Sequence, residues 1–214
     1  IHADKEPLFQ NINLTVNKGE QLSLVGNNGS GKSTLLRIIE GGLKPVSGEV
    51  VCSSKPYYVP QHFGQYDQLT VMQALQVEPK IKALHAIIAG DASEENFTML
   101  DDDWNIEERS LAALSFWGLE YVQPDQPMCL LSGGEKTKVF LSGLLIHSPE
   151  IILMDEPTNH LDTRSRNKLY SFIESSRATM LIVSHDRTLL NLLPYTCELD
   201  RSKITLYGLS LIHI

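Results

Sequence analysis

The sequence predicts an α/β fold: a mainly parallel sheet covered on both faces, with a helical segment inserted into it. Three observations predict it. Apolar runs alternate with helical patterns towards both ends of the chain, as strands buried on two faces and joined by helices do. One run, Gln21–Val25, leads directly into Gly26-Asn27-Asn28-Gly29-Ser30-Gly31-Lys32-Ser33, which fits the phosphate-loop pattern G-x-x-x-x-G-K-[ST]. Another, Ile151-Ile152-Leu153-Met154, ends in Asp155-Glu156, 123 residues after Lys32.

The elements follow in order. Residues 11–16 alternate polar and apolar, as a half-buried strand does. Asn17-Lys18-Gly19-Glu20 reads as a turn and Gln21–Val25 as the next strand. Residues 33–39 read as a helix that ends before Gly41-Gly42, and short strands are expected at 48–52 and at Tyr57–Val59. From about residue 69 to 146 the pattern is helical, with candidates at 71–77, 79–89, 106–117 and 134–146 separated by Gly, Asp and Pro signals. Residues 93–103 show no clear period and read as loop. After Pro149 the expectation is strand 151–154, helix 163–176, strand Thr179–Val183, helix 186–192 and strands at 197–199 and 203–207. The expected organisation is one domain over 1–214, with its core at 1–68 and 147–214 and an inserted helical subdomain at about 69–146.

Composition narrows the class. With 42% hydrophobic and 21% charged residues, the 214-residue chain has an ordinary globular makeup and is long enough for a proper core. No apolar run approaches the roughly 18–20 residues that span a bilayer, and no N-terminal stretch carries a signal peptide's basic and apolar regions. Cys52, Cys129 and Cys197 are odd in number and widely spaced, forming neither a disulfide framework nor a zinc pattern, which favours a reducing compartment. The net charge of −8 is local: residues 91–108 hold eight acids and no Lys or Arg, and elsewhere 18 basic residues face 18 acidic ones. No broad basic surface for nucleic acid follows. The acidic stretch fits a solvated loop and helix start, or a face turned towards a protein.

The motifs define a chemistry. Asn27, Asn28, Gly29, Ser30 and Gly31 supply a loop whose backbone N–H groups point inward, ahead of a helix N-terminus that favours anions. Lys32 would reach the β- and γ-phosphates, the Ser33 hydroxyl would ligate Mg2+, and Thr34 could contact the α-phosphate. Asp155, at the end of a buried strand, can face the metal through water. Adjacent side chains at a strand end point in different directions, so Glu156 is free to polarise the attacking water as general base. Hydrolysis of a nucleoside triphosphate is the expected reaction.

Three further segments carry a family resemblance. Leu131-Ser132-Gly133-Gly134-Glu135 resembles the signature motif of ATP-binding cassette (ABC) ATPases, and its serine and glycine N–H groups at a helix start again suit an anion. Ser184-His185-Asp186 resembles the switch-histidine segment, and Tyr58-Val59-Pro60-Gln61 the Q-loop. All five motifs stand in the family's order, and the resemblance covers nearly the whole chain. It implies a P-loop NTPase core of ABC type with a small antiparallel β subdomain and an inserted helical subdomain. It further implies that Gln61 senses magnesium and the attacking water, and that His185 touches the γ-phosphate. Ser132, Gly133 and Gly134 would bind the γ-phosphate of ATP held by a second cassette, and Asp162 would couple two sites across the interface. Catalysis would thus fall to Glu156, His185 and Gln61, the metal to Ser33, Gln61 and Asp155, and the cofactors would be ATP and Mg2+.

Asp155-Glu156-Pro157-Thr158-Asn159-His160-Leu161-Asp162 refines the resemblance. Transporter cassettes most often have Ser-Ala where this chain has Asn159-His160. The Asn-His form resembles the ABC-F group, soluble proteins with two fused cassettes and no membrane domain, and Glu135 and Ser184-His185-Asp186-Arg187 fit the same group. That resemblance implies a cytoplasmic, ribosome-associated factor in translation or antibiotic protection. The alternative is the ATP-binding subunit of a membrane transporter. The chain departs from the group in having one cassette and no charged linker, so a fragment of a longer protein is expected. Gln61 and Ser132 are only 71 residues apart, so any inserted arm is short. No residue before the first strand matches the family's adenine-stacking aromatic, and Phe9 is expected in the core. The stretch 208–214 does not resemble the family's continuation after Tyr207.

Overall fold

Five segments pair as parallel strands of one sheet. A computed structural model describes residues 8–200 and 203–208. The strands are β1 (Gln21–Val25), β2 (Tyr57–Val59), β3 (Ile151–Asp155), β4 (Thr179–Val183), β5 (Tyr195–Asp200) and β6 (Lys203–Gly208), in the spatial order β2-β3-β4-β1-β5-β6. β6 alone runs antiparallel, against β5, and the other neighbours pair in parallel. The register sets Leu22 and Leu153 on either side of Leu181. These residues, with Leu24, Leu36, Val183, Cys197 and Leu199, form a buried cluster. The near-continuous apolar runs of β3 and β4, buried along almost their whole length, suit strands covered on both faces.

The described chain divides into two compact units: residues up to Gln61 with those from Pro149 onward, and His62–Ser148. In the first, helix α1 (Lys32–Glu40) follows β1, α7 (Thr163–Ser175) follows β3, and the single turn α8 (Arg187–Leu190) follows β4. Helix α1 ends where Gly41 adopts a left-handed φ of 94°, a conformation glycine takes without penalty.

The second unit is helical: α2 (Val71–Ala74), α3 (Glu78–Ile88), α4 (Glu94–Leu100), α5 (Ile106–Phe116) and α6 (Gly133–His147). Leu75, Leu100, Leu114, Trp117, Leu141 and Leu144 are among its largest fully buried side chains. Phe63 and Tyr66 pack on Phe140 of α6, and Lys136 pairs with Asp67 at 2.5 Å.

Three sequence expectations are corrected. Residues 11–16 form no strand, although Ile12, Leu14 and Val16 pack against the sheet's core as their alternation requires. Alternation reports which side is covered, whereas a strand also needs a partner's backbone. Residues 48–52 are likewise unpaired chain, with Val51 84% exposed. Residues 93–103 contain helix α4, whose first turn places Glu94 and Glu95 at the positive end of the helix dipole and whose end is marked by left-handed Asp101. The acids beyond it find partners outside their own stretch: Asp103 lies 2.9 Å from Arg109 and 3.4 Å from Lys80, and Glu107 lies 2.8 Å from the His85 ring. The expectation for 208–214 falls, beyond Gly208, outside the described residues, and so do residues 1–7.

Candidate nucleotide site

Every parallel strand ends at the same edge of the sheet, and that edge gathers the predicted residues of the first unit. The loop between β1 and α1 leaves the interior of the sheet, where β1 lies between β4 and β5. Its shape depends on glycine at two points. Gly26 has φ 150°, and a Cβ there would stand 2.5 Å from the Leu199 carbonyl oxygen. Gly31 has φ 97°, and its Cβ would meet Leu8 at 2.6 Å and Phe9 at 2.9 Å. The loop therefore lies pressed against β5 on one side and the 8–9 segment on the other. Phe9 also packs on the sheet's core, as expected for a core residue.

Asn27, Asn28 and Gly29 form the exposed lip of this loop, Ser30 is buried and Gly31 half-buried. Lys32 is nearly buried; its ammonium donates to the carbonyls of Gly26 (2.8 Å) and Asn27 (3.0 Å) and so draws the loop round itself. Ser33 is exposed and Thr34 half-buried in the first turn of α1. The Ser30 hydroxyl is buried with no hydrogen-bond partner among the described residues. A buried hydroxyl of that kind is costly unless a ligand meets it. Two Cβ-excluding glycines, an orphan hydroxyl and a helix N-terminus together fit a phosphate chain.

At the end of β3, Asp155 is 2% exposed and accepts the Tyr58 hydroxyl from β2 at 3.4 Å. Glu156 follows with a left-handed φ of 50°, rare for a residue with a long side chain. Its backbone N–H donates to Val183 on β4 at 2.8 Å, which fixes that turn against the neighbouring strand. Its carboxylate is 7% exposed and meets His185 twice: Oε2 accepts the His185 backbone N–H at 3.2 Å, and Oε1 lies 3.4 Å from His185 Nε2. Burial pushes the Glu156 carboxyl above its usual range, against the His185 N–H, the His185 ring and the Lys32 charge, which all favour the ionised form. A carboxylate raised by burial and facing an imidazole is placed to accept a proton.

Lys32, Asp155, Glu156 and His185 are thus brought together at one sheet edge. Gln61 stands two residues past the end of β2, half-buried. Ser132, Gly133 and Gly134 belong to the helical unit, at the exposed start of α6. There Ser132 is the N-cap of a reciprocal capping box: its N–H donates to Glu135 Oε2 at 2.7 Å, and its Oγ accepts the Glu135 N–H at 3.4 Å. Asp162 caps α7 by accepting the Ser165 N–H at 2.8 Å and hydroxyl at 3.1 Å. Among the described residues no three His, Cys, Asp or Glu converge as a metal cage. Ser33 and Asp155 are hard oxygen donors of the type Mg2+ takes when phosphate oxygens and water complete its shell.

Sequence reasoning missed the supporting tyrosines. Tyr58 touches Asp155, Tyr121 donates a short hydrogen bond to Glu135, and Tyr170 donates to Asp186 at 2.5 Å. Only Tyr58 carried a signal, as the central residue of a buried strand beside β3.

Residues 9–159 match the family model described as ABC transporter. The chain is 31% identical over 229 residues to the tylosin resistance ATP-binding protein TlrC of Streptomyces fradiae, covering 96% of this chain and 42% of that protein. It is 32% identical over 189 residues to ABC transporter F family member 2 of Arabidopsis thaliana, covering 86% of this chain and 24% of that one. To the ATP-binding protein Uup of Escherichia coli it is 30% identical over 237 residues, covering 94% and 34%. The chain therefore spans less than half the length of these relatives. Its fold is similar to the ATP-binding cassette MJ0796 in a dimeric post-hydrolysis state bound to ADP and Pi, with TM-score 0.71, 26% identity and coverage of 94% and 90%.

Proposed function

The chain belongs to the ATP-binding cassette family, and from that premise we propose that it is one cassette of a soluble ABC-F ATPase that acts on the ribosome. The observation that carries the hydrolytic part is the buried Glu156 carboxylate, held by the His185 N–H beside Asp155 and within the field of Lys32. The phosphates of ATP would lie on the loop 26–31, with Lys32 turned from its carbonyls towards the β- and γ-phosphates. Ser33, Asp155 and Gln61 would hold Mg2+, which when bound neutralises charge across those phosphates. Glu156 takes the proton of the attacking water, and His185 holds the γ-phosphate side of the pocket. Ser132, Gly133 and Gly134, at a helix N-terminus suited to an anion, would close on ATP held by a second cassette.

The ribosomal part rests on Asn159-His160 and on the likeness to TlrC, whose name records tylosin resistance, and to an F family member. No helix among the described residues is long and apolar enough to cross a membrane. Glu156→Gln is expected to lower turnover by about 10²–10⁴ while ATP binding persists, so that closed cassettes accumulate. The parent protein carrying this change, and its equivalent in any second cassette, should sediment with ribosomes through sucrose only when ATP is present. Absence from the ribosome pellet with ATP would remove the ribosomal reading. Recovery with membranes instead would point to a transporter subunit.

A further inference from the structure

Behind the Glu156 carboxylate lies a set of contacts that phosphate binding does not require. His185 reaches Glu156 through its backbone N–H, so the placement of that amide depends on what holds the turn 184–186. Asp186 holds it. Its own N–H donates to Ser184 Oγ at 3.0 Å, and its Oδ1 accepts the N–H groups of Thr188 (2.9 Å) and Leu189 (3.3 Å) at the start of α8. Helix α8 has four residues, too few to be stable by itself. The second oxygen, Oδ2, accepts the Tyr170 hydroxyl at 2.5 Å. Tyr170 stands in the middle of α7, a 13-residue helix anchored by buried Leu169 and Ile173.

We infer that Tyr170 is a positioning residue for hydrolysis: it moors Asp186 to α7 and thereby holds the His185 amide against the Glu156 carboxylate. The inference rests on the assignment of Glu156 as the base. A carboxylate that accepts three hydrogen bonds from two elements has one orientation, and the weak element takes its position from the strong one. The donor is durable, because burial and the bond to Asp186 raise the Tyr170 hydroxyl to about 12. Burial of Asp186 opposes its charge, but the Tyr170 hydroxyl, the two capping N–H groups and Arg166, one turn earlier on α7, hold its carboxyl below the usual range. Removing the hydroxyl leaves both caps in place and cuts only the tie to α7. Small misplacements beside a reacting centre lower rate rather than binding.

Tyr170→Phe should lower kcat on the order of tenfold, with KM for ATP and the affinity for a fluorescent ATP analogue changed by less than about twofold. In an Asp186→Ala background the same substitution should have no further effect on kcat. With selective 15N-histidine labelling, assigned through His185→Gln, the His185 amide resonance should move in Tyr170→Phe; this readout needs no turnover. A folded Tyr170→Phe protein with wild-type kcat, or with an unmoved His185 amide, overturns the inference, as does a kcat loss that persists undiminished without Asp186. Glu156→Gln separates the two levels: wild-type turnover in that variant removes the base assignment, while the amide shift still judges the mooring. If Glu156→Gln is inactive and Tyr170→Phe is indistinguishable from wild type, the mooring alone falls.

Discussion

Gly29 and Gly31 stand two residues apart in one loop, both with left-handed backbones, yet they answer differently to a methyl group. At Gly29 nothing lies within 4 Å of an added Cβ, so alanine there meets only the backbone penalty, about 1 kcal/mol. At Gly31 the same methyl would stand 2.6 Å from Leu8 and 2.9 Å from Phe9. Gly31→Ala should therefore cost roughly 2–4 kcal/mol, overpacking added to strain, and should displace the loop's floor. Thermal melts of the two variants would check the difference, and equal melting temperatures would contradict it. These glycines were legible in the sequence because the phosphate loop is a local pattern whose spacing fixes its own geometry. The tyrosine partners were not: Tyr58 is 97 residues from Asp155, and Tyr170 is 16 from Asp186 across a strand and a turn. A side-chain bond of that kind depends on topology, which no window of residues contains.

The start of α6 shows what an element needs beyond its core-facing residues. Ser132 and Glu135 satisfy each other's backbone N–H groups, so Ser132→Ala should cost about 1 kcal/mol in urea unfolding. Glu135→Gln keeps a side-chain acceptor at the third helical position and should cost less; a larger loss for Glu135→Gln would contradict the capping account. Helix α6 was foreseen within one residue of each end because the Ser-Gly-Gly start and the Pro149 stop are strong local signals. Helix α4 was missed because only Leu100 of its seven residues is buried, so no apolar period marks it. Residues 11–16 failed in the opposite sense, with a clean alternation but no ladder.

For the whole molecule, pH dependence follows from a few carboxyls. Asp103, Glu135 and Asp186 lie below their ordinary values of 3.8, 4.5 and 3.8: at Asp103 and Asp186 hydrogen bonds and nearby cations outweigh burial, and at Glu135 the bonds from Ser132 and Tyr121 dominate. The unfolded chain therefore holds these protons more tightly. Their stabilisation is fully present above the unfolded values and is lost as pH falls through the folded ones. Glu156 acts in the other direction, since burial raises its carboxyl, and its protonation on acidification relieves a cost. Glu20 and Glu78 are lowered as well, by hydrogen bonds from Asn17 and from Lys82 and Gln73, so five carboxyls against one make urea resistance fall below about pH 4; a midpoint that climbed steadily from pH 5 to pH 3 would contradict this. Asp103→Asn should flatten the fall. The parallel sheet was legible from the apolar runs, and the strand order was not, since β1 pairs with β4 and β5, each more than 150 residues away in sequence.

A lineage selected for heat resistance alone would abandon Glu156 early. At a φ of 50° glycine, asparagine or aspartate is more at ease than glutamate, and a buried charge adds to the cost. Persistence of glutamate there across many generations would record continuous demand for turnover, and its replacement by a smaller residue would date the point at which that demand ceased.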